Sequence, residues 1–600
     1  MTEQWRPQGL GSTWFNERYA RFDGESWEQA SKRVAWHVAQ AEENGKVQKY
    51  GERFEEEIVS NRFMPGGRIW YGSGRPKAQL LNCFVVPTSD SREGWGKTIS
   101  DVIVVSGTGG GVGINCSPVR PRGTDIKGTG GKATGAVSLM QMIDRVGDIL
   151  VSGGGRRLAL MLCLDIDHPD IKEFLSVKLD LQQLNNANIS IVLNFDPAEF
   201  AKLVKSNGNI DLAFGGRNTG QSVSARELWE LIVKNAWTSG EPGVLNGFEA
   251  NRMSNIYYHK PLISTNPCGE IWLEEFGCCC LGALVLPRFV DSGTLDWDAL
   301  DSSIRLGVRF LDNVLTVNHY PLSEIKENCE EVRRIGLGVM GLHTMLLGLG
   351  YKYSSAEGKA FTDKLFSFIK NTAYDASITL AAEKGPFPAF DLRYLDGGFI
   401  KTLKRGLRNK IKEHGIRNCA LLTIAPTGTT SMVSGVSSGI EPLFAPVYFR
   451  HYGKANLESN ERNTFRELVV TEEFQKYGEL AEGAYDIHPR DHFEIQKIIQ
   501  QHIDNSISKT INLPKDYPVE ELSDLWLAYL PFVKGTTFYR EGSRGLEPLE
   551  YVKTEDIARV LRENEKDIIV ESNAMELGSL ECPDGACSID APHPVLVEVA

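Results

Sequence analysis

The sequence lacks several features that would set it apart from ordinary globular proteins. It has no uninterrupted run of about 18 apolar residues, and residues 1–11 contain no apolar signal-peptide segment. Cysteine makes up only 11 of 600 residues, too few for a disulfide scaffold. Lys and Arg number 65 against 78 Asp and Glu, a net charge of −13. These absences argue against a membrane protein, a disulfide-stapled secreted protein and a general nucleic-acid binder, and they predict a cytoplasmic chain with free thiols.

The composition divides the chain into three predicted segments. Residues 1–62 are rich in charge and Trp, and amphipathic patterns at 27–41 and 54–58 predict a helical N-terminal cap. Residues 63–550 alternate short apolar runs with helical patterns, which predicts an α/β domain with a parallel or mixed sheet. The short runs are 83–86, 158–164, 187–193, 281–286, 420–425, 509–513 and 536–539. Residues 551–600 contain an acidic stretch, a Pro-containing end and two cysteines, and they are predicted to form a flexible tail.

One short segment, residues 264–270, combines a thiol, an amide and a carboxylate at alternate positions. In an extended loop Asn266, Cys268 and Glu270 therefore project to one side. This set suits coupled hydrogen-atom and proton chemistry, in which Cys268 acts through sulfur, Glu270 moves a proton, and Asn266 holds a hydroxyl or orients the carboxylate. The alternative is a Pro/Gly turn with one buried cysteine and a capping Asn, and the segment taken alone favours that alternative.

Three consecutive cysteines follow at Cys278, Cys279 and Cys280. Alternate side chains of an extended strand point to opposite faces, so either Cys279 alone or Cys278 with Cys280 faces a site. A zinc site is disfavoured because the usual pair of C-x-x-C units and nearby His ligands are missing, and no metal site is predicted.

A further candidate site lies where the apolar run 421–425 enters a Gly/Thr/Ser turn. Thr427, Thr429, Thr430 and Ser431 bring hydroxyls and backbone N–H groups to the end of that run. If the chain becomes helical from Ser431 onward, the turn is an anion cradle; the alternative is a simple capping turn.

Taken together, these segments resemble the large, catalytic chain of ribonucleotide reductase, most closely its adenosylcobalamin-dependent class. The resemblance covers roughly residues 55–550 and the tail cysteines, and it rests on the order of residues 81–85, 109–115, 266–270, 334–341, 426–431, 504–514 and 534–544. It implies a ten-stranded α/β barrel of two five-stranded halves with a central finger loop. Its implied activity is the conversion of ribonucleotides to 2′-deoxyribonucleotides by thiyl-radical chemistry.

The resemblance also implies a role for each candidate catalytic residue. Cys268 matches the thiyl-radical cysteine that removes the ribose 3′ hydrogen. Glu270 matches the base for the 3′ hydroxyl, and Asn266 matches the amide that supports it. Cys83 and Cys279 match the dithiol that protonates the departing 2′ hydroxyl and becomes a disulfide. The choice of Cys279 agrees with the facing argument, which allowed it as the lone inward member of the triplet.

Binding residues are implied in the same way. Effector nucleotide would bind at Asp90 and Arg120, and loops 127–134 and 152–159 would relay its identity to the substrate. About sixty residues precede the barrel, too few for the family's ATP-binding activity domain, so no overall on/off site is expected. Contacts to a ribonucleoside di- or triphosphate substrate are implied for Asn82, Gly110, Gly111, Pro426, Thr427, Gly428, Thr429, Thr430 and Ser431.

The tail cysteines, Cys582 and Cys587, match the mobile pair that reduces the buried disulfide and is recharged by thioredoxin or a similar reductant. The alternative is a disordered tail with two incidental cysteines. A homodimer is expected, with no membrane or nucleic-acid partner.

The cofactor is inferred by exclusion within the family. The iron- or manganese-dependent class uses a late pair of tyrosines to receive a radical from a second subunit, whereas the only adjacent pair here, Tyr257 and Tyr258, precedes the catalytic loop. The glycyl-radical motif of the anaerobic class is not found. Adenosylcobalamin remains, and residues 538–544 are typical of that class. The alternatives are a catalytic subunit driven by a separate metalloprotein and, outside the enzymes, a thiol-based metal or redox-binding module.

Overall fold

The computed structural model describes residues 5–128, 130–150, 158–178, 184–455, 462–543, 549–564 and 568–571. The tail cysteines Cys582 and Cys587 and residues 152–157 of the second relay loop lie outside the described residues.

The predicted N-terminal helices are present. A capping box starts the second of them, since the Ser26 hydroxyl accepts from the Gln29 N–H while the Gln29 side chain accepts from the Ser26 N–H. In the described residues the α-helices are α1 (Gly9–Arg18), α2 (Trp27–Ala39), α3 (Val47–Val59), α4 (Gly67–Gly72), α5 (Arg92–Gly107), α6 (Ala136–Ile149), α7 (Ile171–Ser176), α8 (Pro197–Ser206), α9 (Ala225–Ser239), α10 (Gly247–Arg252), α11 (Trp297–Val317), α12 (Ser323–Val332), α13 (Leu342–Gly348), α14 (Ala356–Lys384), α15 (Arg405–His414), α16 (Gly428–Ser434), α17 (Glu472–Tyr477), α18 (Pro489–Gln500), α19 (Val519–Tyr529) and α20 (Ile557–Glu563).

The strands coincide with most of the short apolar runs of the sequence. In the same described residues they are β1 (Phe63–Pro65), β2 (Cys83–Val85), β3 (Gly111–Asn115), β4 (Leu160–Asp165), β5 (Ala187–Leu193), β6 (Asn209–Phe214), β7 (Arg217–Ser224), β8 (Gly243–Asn246), β9 (Ser264–Thr265), β10 (Trp272–Leu273), β11 (Leu281–Val285), β12 (Val290–Asp291), β13 (Thr294–Leu295), β14 (Gly336–Met340), β15 (Val447–Ala455), β16 (Arg462–Thr471), β17 (Thr510–Leu513), β18 (Gly535–Arg540), β19 (Leu549–Tyr551) and β20 (Ile568–Glu571).

The largest sheet has the strand order β17-β18-β8-β5-β4-β3-β2. Its strands β2, β3, β4, β5 and β8 run parallel, and β18 is antiparallel to β8 and parallel to β17. Helices connect most of the parallel strands, as parallel pairing requires. The prediction of an α/β domain with a mixed sheet is confirmed.

A second sheet has the order β1-β11-β14, with β11 parallel to β14. Single parallel bridges extend it from Leu337 to Leu422 and from Ile424 to Ile507. The run 420–425 is therefore extended but forms isolated bridges rather than the continuous strand predicted. The reason is that the amides of Leu421 and Leu422 donate to the Asp504 carboxylate, each at 2.8 Å, instead of to a neighbouring strand.

The two sheets contact each other at β2. Phe84 and Cys278 form an antiparallel bridge, and the Cys279 N–H donates to the Cys83 carbonyl at 2.9 Å. At the other edge, β18 joins β8 to β17, which continues from the segment bridged through Ile507. Within the described residues, no helix is long and apolar enough to cross a membrane.

Candidate active site

A short hairpin carries the predicted catalytic loop. Strands β9 and β10 pair antiparallel, so residues 266–271 form the tip between them. The Asn115 amide donates to the Ile263 carbonyl at 3.0 Å, and the Trp272 indole donates to the Lys534 carbonyl at 3.0 Å. Gly113 permits a close approach, because a β-carbon there would lie 1.7 Å from the Thr265 carbonyl oxygen. The tip is thereby held among strands from distant parts of the chain.

The tip itself is a tight turn organised by Asn266. Its side-chain oxygen accepts from the Ile271 N–H at 3.1 Å, and its carbonyl accepts from the Gly269 N–H at 3.0 Å. Gly269 has φ +78°, a conformation that glycine adopts without strain. The capping Asn expected from the alternative interpretation is thus present in the turn that carries Cys268 and Glu270, and the catalytic role of these two residues stays a prediction.

Glu270 lies at the buried base of this turn, 1 % exposed. Its carbonyl accepts from the Thr423 hydroxyl at 2.7 Å and from the Ser506 N–H at 2.8 Å. Burial raises the pKa of its carboxyl to about 7, and the nearby Asn266 amide opposes that rise only partly. The Glu270 Oε2 and Asn266 Nδ2 atoms are buried without a partner of hydrogen-bonding geometry in the described part of the chain. A carboxyl in this state can exchange a proton near neutral pH.

Cys83 and Cys279 are neighbours on adjacent segments of backbone. Their thiols interact but are not joined in a disulfide. Both belong to the small apolar cluster that includes Ile271 of the loop. Burial, the Cys83 thiol and the Glu270 carboxyl together raise the pKa of Cys279. Two protonated thiols side by side can supply two electrons and two protons while forming a disulfide.

The other two cysteines of the triplet point away from Cys83. The Cys278 thiol interacts with the Cys329 thiol, and the Cys280 thiol lies 3.5 Å from the Leu311 carbonyl oxygen. Of the two alternatives left open by the sequence, the structure has Cys279 alone facing Cys83. No group of three His, Cys, Asp or Glu residues in the described ranges has an arrangement that could hold a metal ion.

A cavity adjoins this cluster, and its empty space is about 590 Å³ when the part open to solvent is included. Cys83 and Glu270 line one part of it. Cys268, at the tip of the loop, is partly exposed and is not one of the lining residues. The remaining lining residues are Tyr19, Met64, Pro65, Gly66, Gly67, Asn82, Leu281, Gly282, Ala283, Gly338, Ala425, Pro426, Thr427, Gly428, Thr429 and Thr430.

The predicted phosphate turn lines the cavity through residues 426–430. Helix α16 begins at Gly428, three residues before the expected Ser431. Ser431 is fully buried behind the turn, where its hydroxyl lies 2.8 Å from the Ser438 hydroxyl. The Thr427 hydroxyl accepts from the Gly439 N–H at 2.8 Å and keeps its own proton for donation. Ser431 therefore supports the turn, while Thr427 borders the cavity.

The remaining predicted residues lie at two further places. A β-carbon on Gly111 would lie 3.2 Å from the Cys83 sulfur, so Gly111 borders the dithiol, whereas Gly110 packs against the Phe84 ring. Asp90 and Arg120 form an ion pair of 2.9 Å outside the cavity lining.

Sequence reasoning assigned no role to a buried network behind the loop. Arg334 pairs with Glu274 at 2.8 Å and donates to the Asn505 side chain at 3.0 Å. The Lys534 ammonium donates to the carbonyls of Asp504 and Asn505, and burial lowers its pKa to about 8. Most of these residues lie in segments that carried the resemblance, but a local pattern does not show which distant carbonyl a buried cation binds. Tyr19 gave no local signal at all.

Comparison with known proteins identifies the family to which the chain belongs. Residues 81–539 match the family model described as the ribonucleotide reductase barrel domain, and residues 6–78 match that of its all-alpha domain. The chain therefore belongs to the ribonucleotide reductase large-chain family, which confirms the resemblance and the predicted oxidoreductase class.

Individual relatives extend over most of the chain. It is 34 % identical, over 90 % of its length and 78 % of the relative's, to the vitamin B12-dependent ribonucleoside-diphosphate reductase of Mycobacterium tuberculosis. A protein of the same name from Thermoplasma acidophilum is 33 % identical over 90 % of this chain and 72 % of its own length. The ribonucleoside-diphosphate reductase subunit alpha of Chlamydia trachomatis is 28 % identical over 70 % of this chain and 45 % of its own length.

Proposed function

We propose that this chain reduces ribonucleoside diphosphates to 2′-deoxyribonucleoside diphosphates, with adenosylcobalamin as the radical source. The observation that carries the proposal is the loop of Asn266, Cys268 and Glu270 held against the dithiol of Cys83 and Cys279. The choice of diphosphates and of vitamin B12 is supported by the names of the relatives from Mycobacterium and Thermoplasma.

The residues divide the reaction between them. A thiyl radical on Cys268 takes the ribose 3′ hydrogen, and the Glu270 carboxylate takes the proton of the 3′ hydroxyl. The 2′ hydroxyl then leaves as water with a proton from the Cys83 and Cys279 pair. The pair also delivers its second hydrogen to the 2′ carbon, so that it supplies two electrons and two protons in all and becomes a disulfide, and the proton held by Glu270 returns to the 3′ oxygen. Cys268 finally returns its hydrogen atom to the 3′ carbon and becomes a thiyl radical again.

Beside Cys268, the space at Gly269 is open to an incoming group. A β-carbon added to Gly269 would have a Leu245 methyl as its near neighbour, at 4.0 Å. Gly535 is close to this place, because a β-carbon added there would lie 4.0 Å from the Gly269 carbonyl oxygen. Leu245, Gly269 and Gly535 would border the adenosyl group beside the partly exposed Cys268. When bound, adenosylcobalamin supplies a carbon-centred radical able to take a hydrogen atom from a thiol.

The alternative of a separate radical-generating subunit has less support. Tyr257 and Tyr258 contact each other edge to face, and their hydroxyls donate to the carbonyls of Arg393 and Ala389. Both tyrosines thus contact the segment that contains Ala389 and Arg393, and neither lines the cavity.

We also propose that the two sheets form one closed barrel of ten strands in two five-stranded halves. The first half would be β2, β3, β4, β5 and β8, and the second β11, β14, the extended run 421–425, β17 and β18. Support comes from the parallel bridges at Leu422 and Ile424 and from the contacts that join β2 to residues 277–279 and β8 to β18. The loop carrying Cys268 would then pass through the centre of the barrel.

Regulation and assembly are proposed from the surface of α5 and α6. Four large apolar side chains stand exposed there, Ile103 and Val104 on α5 and Met142 and Ile149 on α6. Covering them in a homodimer removes apolar surface from water. The effector nucleotide is proposed to bind at Asp90 and Arg120, where the ion pair opens to solvent.

The reductant is proposed to act through Cys582 and Cys587, which would exchange with the buried disulfide and be recharged by a thioredoxin-like protein. A cytoplasmic location is proposed because none of the nine cysteines in the described residues forms a disulfide.

The decisive experiment incubates the purified chain with adenosylcobalamin, a ribonucleoside diphosphate, an effector deoxynucleotide and dithiothreitol. Deoxynucleotide and a cobalt(II) signal are expected. Cys268→Ala should abolish the product, whereas the matched variant Cys116→Ala, buried elsewhere, should keep it. The absence of both product and cobalt signal would overturn the proposal. Zinc bound equally by wild type and Cys268→Ala, without product, would favour a metal-binding module.

A further inference from the structure

The cavity has an unusual composition for a site proposed to hold a diphosphate. None of its lining side chains, all of them among the described residues, is a Lys, Arg or His. Phosphate oxygens would therefore be held by neutral donors, such as the Thr427 hydroxyl and nearby backbone N–H groups. A further neutral hydrogen-bond donor among the lining residues would then be available to bind the last phosphate of the chain.

One such donor comes from the N-terminal helical segment. Tyr19, just after α1, is 2 % exposed and lines the cavity. A β-carbon on Gly67 would lie 3.2 Å from its hydroxyl oxygen. The Tyr19 ring thus covers the glycine turn of Gly66 and Gly67 that forms part of the cavity wall.

The same segment packs directly on the phosphate turn. A β-carbon on Gly11 of α1 would lie 2.6 Å from the carbonyl oxygen of Met432 in α16. Only glycine allows the two helices to approach so closely. The first residues of α16, Gly428 to Thr430, line the cavity on their other side. Helix α1 therefore packs against the helix whose first residues line the cavity, and Tyr19 follows directly after α1.

Tyr19 is held in place by a partly buried arginine. Arg33 donates to the Tyr19 carbonyl at 3.1 Å and to the carbonyls of Trp70 and Ser73 at 2.9 and 3.0 Å. Its charge is balanced by Glu25, which it contacts at 2.7 Å. These bonds join the residue after α1 to α4, whose first residue is Gly67. These bonds oppose any movement of Tyr19 away from the cavity, which a longer ligand would require.

We infer that Tyr19 closes the phosphate end of the cavity, donates its hydroxyl to the terminal phosphate and so selects nucleoside diphosphates over triphosphates. This inference rests on the proposed function, because the cavity must bind a ribonucleotide. A third phosphate would have to occupy the space of the Tyr19 ring.

The test compares Tyr19→Phe and Tyr19→Ala with Tyr50→Phe, a matched control whose buried ring packs elsewhere in the helical segment. Equilibrium dialysis measures the binding of cytidine diphosphate and triphosphate to the full chain without cofactor, at saturating effector, and steady-state kinetics give KM and kcat. Tyr19→Phe keeps the ring, so it tests the hydroxyl even if Tyr19→Ala fails to fold.

Wild type should bind the diphosphate more tightly. Tyr19→Phe should weaken diphosphate binding about 10- to 100-fold, as expected for a lost hydrogen bond to a charged group, with kcat within about twofold. Tyr19→Ala should narrow the preference for diphosphate over triphosphate. Equal wild-type affinity for the two nucleotides, or Tyr19→Phe binding like Tyr50→Phe, would overturn the inference.

The outcomes separate this inference from the proposed function. If Tyr19→Phe weakens diphosphate binding but neither the wild type nor any variant yields deoxynucleotide, the role of Tyr19 stands and the reductase function fails. If wild type yields deoxynucleotide and the Tyr19 variants bind and react like Tyr50→Phe, the function stands and the role of Tyr19 fails.

Discussion

The Thr423 hydroxyl donates a hydrogen bond of 2.7 Å to the main-chain carbonyl of Glu270, although the two residues are 153 positions apart. The Ser506 N–H donates a second hydrogen bond to the same carbonyl, at 2.8 Å. Both contacts are to the backbone, so they set the position of the Glu270 carboxyl without binding the carboxyl itself. Thr423 is therefore a positioning residue.

Replacing this hydroxyl should affect rate more than substrate binding. We expect Thr423→Val to lower kcat about tenfold with little change in KM, because a base displaced by a fraction of an ångström transfers protons poorly. The free energy of unfolding should fall by about 1 kcal/mol. Thr362→Val removes a buried hydroxyl that donates to the Gly358 carbonyl far from the site, and it should lower stability similarly without changing kcat. Equal kcat values for the two variants would contradict the positioning role.

The two faces of the cysteine triplet should behave differently. Cys83→Ser and Cys279→Ser should each abolish repeated turnover, because no disulfide can then form at the cavity. Cys278→Ser and Cys280→Ser, which alter thiols that point away from Cys83, should retain most of the activity. The measurement is deoxynucleotide formed per chain with dithiothreitol as reductant. Loss of activity in Cys278→Ser equal to that in Cys279→Ser would show that the facing assignment is wrong.

The pH dependence of the reaction should follow the ionisation of the buried Glu270 carboxyl. Burial raises the pKa of Glu270 to about 7, and a base must be ionised to accept a proton. The value of kcat/KM should therefore rise with pH through an inflection near 7 and fall about tenfold per pH unit below it. A flat profile between pH 6 and 8 would argue against Glu270 as the base. Asn266→Ala, which removes the amide that opposes the raised pKa, should move the inflection upward.

The same group should make stability depend on pH. The pKa of Glu270 lies above the usual 4.5, so between about pH 4.5 and 7 the folded chain keeps a proton that the unfolded chain has lost. Stability is highest below this window and falls as the pH rises through it, by about 3 kcal/mol. Glu270→Gln cannot ionise, so urea unfolding should find it more stable than wild type by about that amount at pH 8 and nearly equal at pH 4.5. Glu413→Gln, at an exposed position, serves as the control and should show no such difference.

The tail cysteines give a prediction that depends on the choice of reductant. Cys582→Ser and Cys587→Ser should lose turnover supported by a thioredoxin, which must pass electrons through the tail. Turnover with dithiothreitol, which reaches the disulfide directly, should remain. Ser588→Ala, beside the second cysteine, should behave like wild type with both reductants. Normal turnover of Cys582→Ser with thioredoxin would contradict the proposed relay.

Much of the fold and site was predictable because it depends on local order. The predicted helices and most strand runs appear, since their periodicity is set by neighbouring residues. The run 420–425 was predicted wrongly as a continuous strand, because the carboxylate of Asp504, some 80 residues away, takes two of its amides. Helix α16 likewise begins at Gly428 rather than Ser431.

The sequence by itself determined which chemistry is available, through the spacing of Asn266, Cys268 and Glu270 and through the alternation that allowed Cys279 to face inward alone. Only the tertiary structure decided that Cys279 meets Cys83, that Thr423 holds Glu270, and that Tyr19 from the helical segment walls the cavity. The physical reason is that side-chain direction along a strand follows from adjacent residues, whereas contacts between residues far apart in the chain depend on how the sheets and helices pack.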